Sequence, residues 1–120
     1  MFLLDSNILI YSYSPEYKYL RDFFTRNSIF ISEITRVEIL GFHKLTTDEE
    51  RYFKYALSFI PSIFPSQDIL NAAISVRRKY NIKLGDSIIA ATALVHDLSI
   101  YTRNLKDFEK VGIECVNPMI

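Results

Sequence analysis

Cysteine is almost absent from this chain, and tryptophan is absent altogether. The only cysteine among the 120 residues is Cys115, which excludes an intrachain disulfide and suits a reducing compartment. Glycine and proline are also scarce, at 3 and 4 residues, whereas hydrophobic residues make up 49% of the sequence. This composition predicts a compact, helix-rich globule, and the length predicts one domain over residues 1–120.

The chain also lacks an excess of either charge, because 14 basic residues balance 14 acidic ones. A nucleic-acid-binding function would therefore depend on a local site rather than on a basic surface field. No apolar run approaches the roughly 18 residues of a membrane span. The N-terminus has no signal-peptide pattern, so we expect a cytoplasmic protein with no membrane partner.

Short apolar segments alternate with helical patterns along the chain. The strand-like segments are "FLL", "IFI", "SIF", "LSIYT" and "ECV". They lack the alternation of a half-exposed strand, which favours buried parallel strands. We therefore predict an α/β fold: a three-layer α/β/α sandwich with a central, mostly parallel sheet of about five short strands.

Helix signals separate these strands. A short helix is predicted through residues 8–11, and a second begins at Pro15 in "PEYKYLRDFFTRN". Ser32 is expected to cap a helix with one apolar face, formed by Ile34, Val37, Ile39 and Leu40. Thr47 with Glu50 forms a T-x-x-E capping-box pattern. Further helices are predicted to begin at Ser66 and at Gly85-Asp86.

Four acids occupy positions that this topology would place at or near the carboxyl edge of the sheet. Asp5 ends the first strand, Glu38 follows the second, Asp86 opens a buried helix, and Asp107 follows the fourth strand. Ligands bind beyond this edge in such folds. Clustered carboxylates repel one another unless a cation neutralises them, and an oxygen-only ligand set favours Mg²⁺ or Mn²⁺. Such a site suits phosphodiester hydrolysis.

Neutral and basic residues beside the acids could support them. Ser6 could hold a phosphate and Asn7 could orient Asp5, while Thr102 and Asn104 could do similar work. Arg103 is the best single candidate for contacting a phosphate group.

Each acid also has a simpler interpretation. The triplet Asp5-Ser6-Asn7 and the residue Asp86 could each just cap a helix, and Asp107 could lie in a surface turn. Glu38 could face solvent, although it stands within the apolar stretch "VEILG". Only the joint pattern favours a common site.

Four segments in order, "LLDSN", "VEILG", "GDSIIAATAL" and "IYTRNLKDF", resemble the PIN-domain family, in particular the VapC-type toxin ribonucleases. The resemblance implies endoribonuclease activity with Mg²⁺ or Mn²⁺ on tRNA, rRNA or mRNA. It implies that Asp5, Glu38 and Asp86 are the core metal-binding and catalytic acids, with Ser6 and Asn7 beside the first. The fourth acidic position falls on Asn104 or on Asp107. It further implies a homodimer and a small antitoxin protein as partner.

Three other features leave alternatives open. The tyrosines of "YSYSPEYKY" could stack on RNA bases, but we favour a protein interface, since interfaces are rich in aromatic residues. The uncertain fourth acid motivates a rival hypothesis, an inactive PIN-like scaffold that binds RNA or protein without cutting. A phosphoacceptor domain using Asp5 is disfavoured, because such domains need a further acidic pair and a late lysine.

Overall fold

The sheet is formed by five short strands that all run parallel. A computed structural model describes residues 1–119 and gives the strand order β3-β2-β1-β4-β5. The strands are β1 (Phe2–Leu4), β2 (Ile29–Ser32), β3 (Ser62–Ile63), β4 (Ser99–Tyr101) and β5 (Cys115–Val116). The parallel pairing of neighbouring strands confirms the predicted fold class.

Helices connect and cover these strands. They are α1 (Ser6–Ser12), a 3₁₀ segment (Pro15–Thr25), α2 (Glu33–Leu40), α3 (Thr47–Leu57), α4 (Gln67–Lys79), α5 (Leu84–His96) and α6 (Leu105–Glu109). None of the helices within residues 1–119 has the length and apolar character needed to cross a membrane.

The two faces of the sheet are buried in separate cores, which makes the three layers of the sandwich. In β1 the fully buried Leu4 packs with α1, the 3₁₀ segment, α2 and α3. Its neighbour Leu3, also fully buried, packs with α4, α5 and α6 on the opposite face. Successive residues of a strand point to opposite faces, so both faces of β1 must be apolar. This explains the continuous apolar run "FLL".

Three local predictions were wrong in detail. The residues Pro15–Thr25 form a 3₁₀ helix with a break at Tyr17, where an α-helix was predicted. The capping box uses Thr46 and Glu49, one position before the predicted Thr47 and Glu50. Val37 is 66% exposed and therefore does not belong to the buried face of α2.

The strand order reverses beside β1. Strands β2 and β3 lie on one side of β1, whereas β4 and β5 lie on the other. In open parallel sheets this reversal opens a crevice beyond the carboxyl ends of the two strands that flank it. Here those strands are β1 and β4, which end immediately before Asp5 and Thr102.

Candidate functional site: acids at the carboxyl edge of the sheet

Asp5 lies at the reversal point of the sheet and is only 4% exposed. It is the N-cap of α1, and its Oδ1 accepts a 2.8 Å hydrogen bond from the Ser6 amide. Its Oδ2 accepts a 2.8 Å bond from Thr102 Oγ1 and a 3.2 Å bond from Asn7 Nδ2. Burial raises the pKa of Asp5 above its usual value, although the bonds from Thr102 and Ser6 oppose this shift. The helix-cap interpretation is thus correct, and Asp5 also belongs to the site.

Glu38 reaches the same region from α2. A Cβ atom placed on Gly85 would lie 3.0 Å from Glu38 Oε2, so the carboxylate lies against the first turn of α5. The residue as a whole is exposed, although its carboxylate lies next to Gly85. Burial, followed by the charges of Asp5 and Asp86, raises the pKa of Glu38. Glu38 is therefore exposed on α2, as the simpler interpretation allowed, and its carboxylate also lies near the other acids.

Asp86 lies in the first turn of α5 and is partly buried. Lys83 is the N-cap position, and no side chain caps this helix, so the simpler interpretation of Asp86 as an N-cap is wrong. Burial, with the charges of Asp5 and Asp107, raises the pKa of Asp86 to about 6, while Lys83 opposes the shift. An acid in a first helical turn normally benefits from the helix dipole, so the raised pKa shows that burial and repulsion together outweigh that benefit.

The far wall of the site consists of both residues left open by the sequence. Asn104 Nδ2 donates a 2.6 Å hydrogen bond to Asp107 Oδ2, and the Asn104 amide donates to Thr102 Oγ1 at 2.9 Å. Asp107 also pairs with Lys110 at 3.4 Å. The hydrogen bond from Asn104 holds the pKa of Asp107 below its usual range, and Lys110 contributes less. Asn104 thus positions Asp107, whose charge acts on Asp86.

A hydrogen-bonded chain links the start of α1 to the loop after β4. Asn7 Oδ1 accepts a 3.2 Å bond from the Arg103 amide, while Asn7 Nδ2 donates to Asp5. The Arg103 side chain extends to Tyr11 and donates a hydrogen bond to its hydroxyl. Ser6 is partly exposed, and its backbone amide bonds to Asp5. The structure therefore brings all nine predicted site residues to one edge of the sheet.

The acids lie close enough to affect one another's pKa values, but their side chains do not surround a common metal position. Within residues 1–119, no three His, Cys, Asp or Glu side chains are arranged as a ready metal-ligand set. Of the ion pairs formed by the same residues, none includes Asp5, Glu38 or Asp86. Asp5 is buried, Asp86 is partly buried and Glu38 is exposed, and all three have raised pKa values and form no ion pair with another described residue. Such a set fits a divalent cation, because the ion would remove the repulsion among the carboxylates.

Sequence reasoning missed Gly85 as part of the site. Its lack of a side chain lets the Glu38 carboxylate approach α5 closely. The available signal was a glycine directly before an acid at the start of a buried helix, but distances were needed to interpret it.

Comparisons with known proteins show which family and fold the chain resembles. A family model described as "PIN domain" matches residues 2–114. A toxin–antitoxin complex from Klebsiella pneumoniae contains a chain with 37% identity and a TM-score of 0.78, covering 98% of both chains. DNA-bound VapBC from Salmonella typhimurium matches with 23% identity and a TM-score of 0.82, covering 96% of both.

A third structure, FitAcB from Neisseria gonorrhoeae, matches with 22% identity and a TM-score of 0.80, covering 98% of both chains. The comparison with curated proteins gave no match. The family match spans nearly the whole chain and confirms the resemblance seen in the sequence. The chain belongs to the PIN-domain family.

Proposed function

We propose that the protein is a divalent-metal-dependent endoribonuclease and the toxin of a type II toxin–antitoxin pair. The observation that supports this most directly is the repulsion among three acids at one edge of the sheet. Burial raises the pKa of both Glu38 and Asp86, the charge of Asp5 adds to both shifts, and the charge of Asp86 adds to that of Glu38. Keeping unpaired acids together costs stability, so their placement is best explained by a ligand that carries positive charge.

Asp5, Glu38, Asp86 and Asp107 would hold the ion, which we propose to be Mg²⁺ or Mn²⁺, as the oxygen-only donor set favours. When bound, such an ion supplies Lewis acidity toward a phosphate group and a water molecule. Thr102 and Asn7 hold Asp5 in place through the two bonds to Oδ2. Asn104 does the same for Asp107, and Ser6 is available to contact the scissile phosphate.

The proposed reaction is hydrolysis of an RNA phosphodiester bond. Water attacks phosphorus in line, the bond to the 3′-oxygen breaks, and the products carry a 5′-phosphate and a 3′-hydroxyl. The substrate class is tRNA, rRNA or mRNA, in agreement with the family resemblance. Purified protein should cut RNA in the presence of Mn²⁺ or Mg²⁺, and cleavage should stop when EDTA is added. End-group labelling should detect 5′-phosphates, and their absence from cut RNA would contradict this chemistry.

An antitoxin partner is proposed from the Klebsiella pneumoniae complex and from a groove beside the acids. This groove has a volume of about 230 Å³ and is lined by Ile10, Ile39, Phe42, Leu45 and Phe53, with Glu38 and Glu49. Glu38 therefore lines both the groove and the acidic site, so a protein seated there could block the acids. A homodimer is proposed from the family resemblance, and light scattering would test it.

The alternative function is a PIN-like scaffold that binds RNA or protein without cutting. The separation of the acids, which form no ready ligand set within residues 1–119, is the observation that favours it. If the protein is such a scaffold, RNA should stay intact with any divalent metal ion added. The wild-type protein should then bind Mn²⁺ no better than Asp86→Asn does.

A further inference from the structure

Arg103 is an exposed arginine that is fixed in place but not neutralised. Its guanidinium carbon lies 4.9 Å from the centre of the Tyr11 ring, and its Nη1 donates to the Tyr11 hydroxyl. Within the described chain no carboxylate forms an ion pair with it. Arginine has five N–H donors, so most of its hydrogen-bonding capacity remains available to a ligand.

Other arginines of the chain are engaged differently. Arg36 and Arg51 pair with acids of their own helices, at 2.5 Å and 3.7 Å. Arg21 donates to two backbone carbonyl groups and lies over the Tyr52 ring. Arg26 lies over the Phe23 ring, with 4.2 Å between its guanidinium carbon and the ring centre. Arg103 differs from these arginines because its backbone amide donates to Asn7, whose side chain also donates to Asp5.

Two backbone segments determine where this guanidinium lies. Asn7 accepts a hydrogen bond from the Arg103 amide and fixes the start of the loop after β4. Tyr11 lies four residues after Asn7 on α1, hence on the same face and about 6 Å further along the helix. Tyr17 packs edge-on against Tyr11, with ring centres 5.5 Å apart, and braces it. The guanidinium, held at the Tyr11 ring, is thereby displaced from Asn7 by about one helical turn.

We propose that Arg103, positioned by Tyr11, binds an RNA backbone phosphate next to the scissile bond. This inference rests on the proposed nuclease function and names the residue that aligns its substrate. The planar guanidinium matches two phosphate oxygens, and an arginine already held on a ring loses less freedom on binding. In the metal-free protein the acids at the sheet edge repel the RNA backbone, and a nearby unpaired arginine offsets part of that repulsion.

The test is the equilibrium binding of a labelled, mixed-sequence, single-stranded RNA, measured by fluorescence anisotropy in EDTA at several salt concentrations. Arg103→Ala should weaken binding about tenfold, the usual effect of removing a charged hydrogen bond. The slope of log affinity against log salt should become shallower by about 0.7, because one phosphate is no longer neutralised by the protein. Because Arg103 is exposed, its replacement should leave the melting temperature unchanged.

Three further variants separate direct binding from positioning. Arg103→Lys should keep the salt slope but bind more weakly, since lysine lacks the planar fork. Tyr11→Phe should weaken binding less than Arg103→Ala, because the ring remains while the hydroxyl is removed. Arg51→Ala is the matched control: it removes the same charge from α3, where Arg51 pairs with Asp48, and should bind RNA like wild type.

Steady-state cleavage in Mn²⁺ gives a second measurement. Arg103→Ala should raise KM more than it lowers kcat. Binding that depends on Arg103 without any cleavage would contradict the nuclease proposal alone. Unchanged affinity and salt slope in Arg103→Ala, or wild-type protein with no affinity for RNA, would overturn the role proposed for Arg103.

Discussion

At the scale of the residue, Asp5 shows why a local pattern is ambiguous. The same carboxylate caps α1 through Oδ1 and takes part in the acidic site through Oδ2. Cap and site were alternative interpretations of "LLDSN", yet the two oxygens of one carboxylate satisfy both. The sequence could predict that Asp5 mattered to α1, but the bond from Thr102 joins residues that are 97 positions apart. No local pattern contains that bond.

Removing the Thr102 hydroxyl should destabilise the protein. Thr102 is fully buried, donates to Asp5 and accepts from the Asn104 amide. Thr102→Val keeps the shape but leaves both partners without this bond, which should cost about 1–3 kcal/mol in the free energy of unfolding. Urea denaturation would measure the effect, and Thr102→Ser is the control that should recover most of it. Equal stability of the valine and serine variants would contradict this role of the hydroxyl.

Asp86 should make the metal-free protein less stable as pH rises. Its pKa is about 6 in the folded state, above the usual value of 3.8. Between these two values the folded state binds more protons than the unfolded state, so stability falls as pH rises through that window and levels off above it. Asp86→Asn should therefore increase the free energy of unfolding by about 1–2 kcal/mol at pH 7 in EDTA.

The same substitution should have little effect near pH 4, where folded Asp86 is already protonated. Urea denaturation at both pH values would measure the difference. An Asp86→Asn variant that is less stable than wild type at pH 7 in EDTA would show that the carboxylate is not under repulsion.

At the scale of the element, the existence of each strand and of every helix except α6 could be predicted, but some boundaries and one helix type could not. The short helix α6 carries Asp107, for which the sequence had suggested a surface turn. The 3₁₀ segment carries Tyr17, Tyr19, Phe23 and Phe24, which all pack in or against the core formed with α1, α2 and α3. Tertiary packing of these aromatic side chains outweighs local helix propensity. In the sequence, the same aromatic residues and Pro15 resembled an ordinary α-helix.

The capping box of α3 illustrates a limit of a different kind. Thr46 and Thr47 are each followed three positions later by a glutamate, so the T-x-x-E pattern fits twice. In the structure the Glu49 amide donates to Thr46 Oγ1, and the Thr46 amide donates to Glu49 Oε1. The choice between registers depends on where the chain enters the helix, which the pattern does not contain.

Replacing Thr46 should therefore cost more than replacing its neighbour. Thr46→Ala disrupts the box and should lower the free energy of unfolding by about 1 kcal/mol. Thr47→Ala is the matched control, since Thr47 is also exposed and lies inside the helix. Its effect should be a few tenths of a kcal/mol at most. Thermal denaturation would compare the two, and a larger destabilisation by Thr47→Ala would contradict the observed register.

At the scale of the whole molecule, the order of the strands determines which residues meet. Because β1 and β4 are neighbours, the segments that follow them bring Asp5 and Thr102 together, and helices α2 and α5 add Glu38 and Asp86. The alternation of strands and helices was sufficient to predict a parallel sheet and the edge at which the acids gather. It could not predict the strand order, and therefore not which acids act on one another or that Asn104 holds Asp107.

The most direct test of the central claim is a calorimetric titration of the protein with Mn²⁺ near neutral pH. The wild-type protein should bind the ion, Asp86→Asn should lose most of that binding, and Asp22→Asn, an exposed acid of the 3₁₀ segment, should bind like wild type. If the wild-type protein binds no Mn²⁺, or if Asp86→Asn binds it as well as wild type does, the acids at the sheet edge are not a metal site.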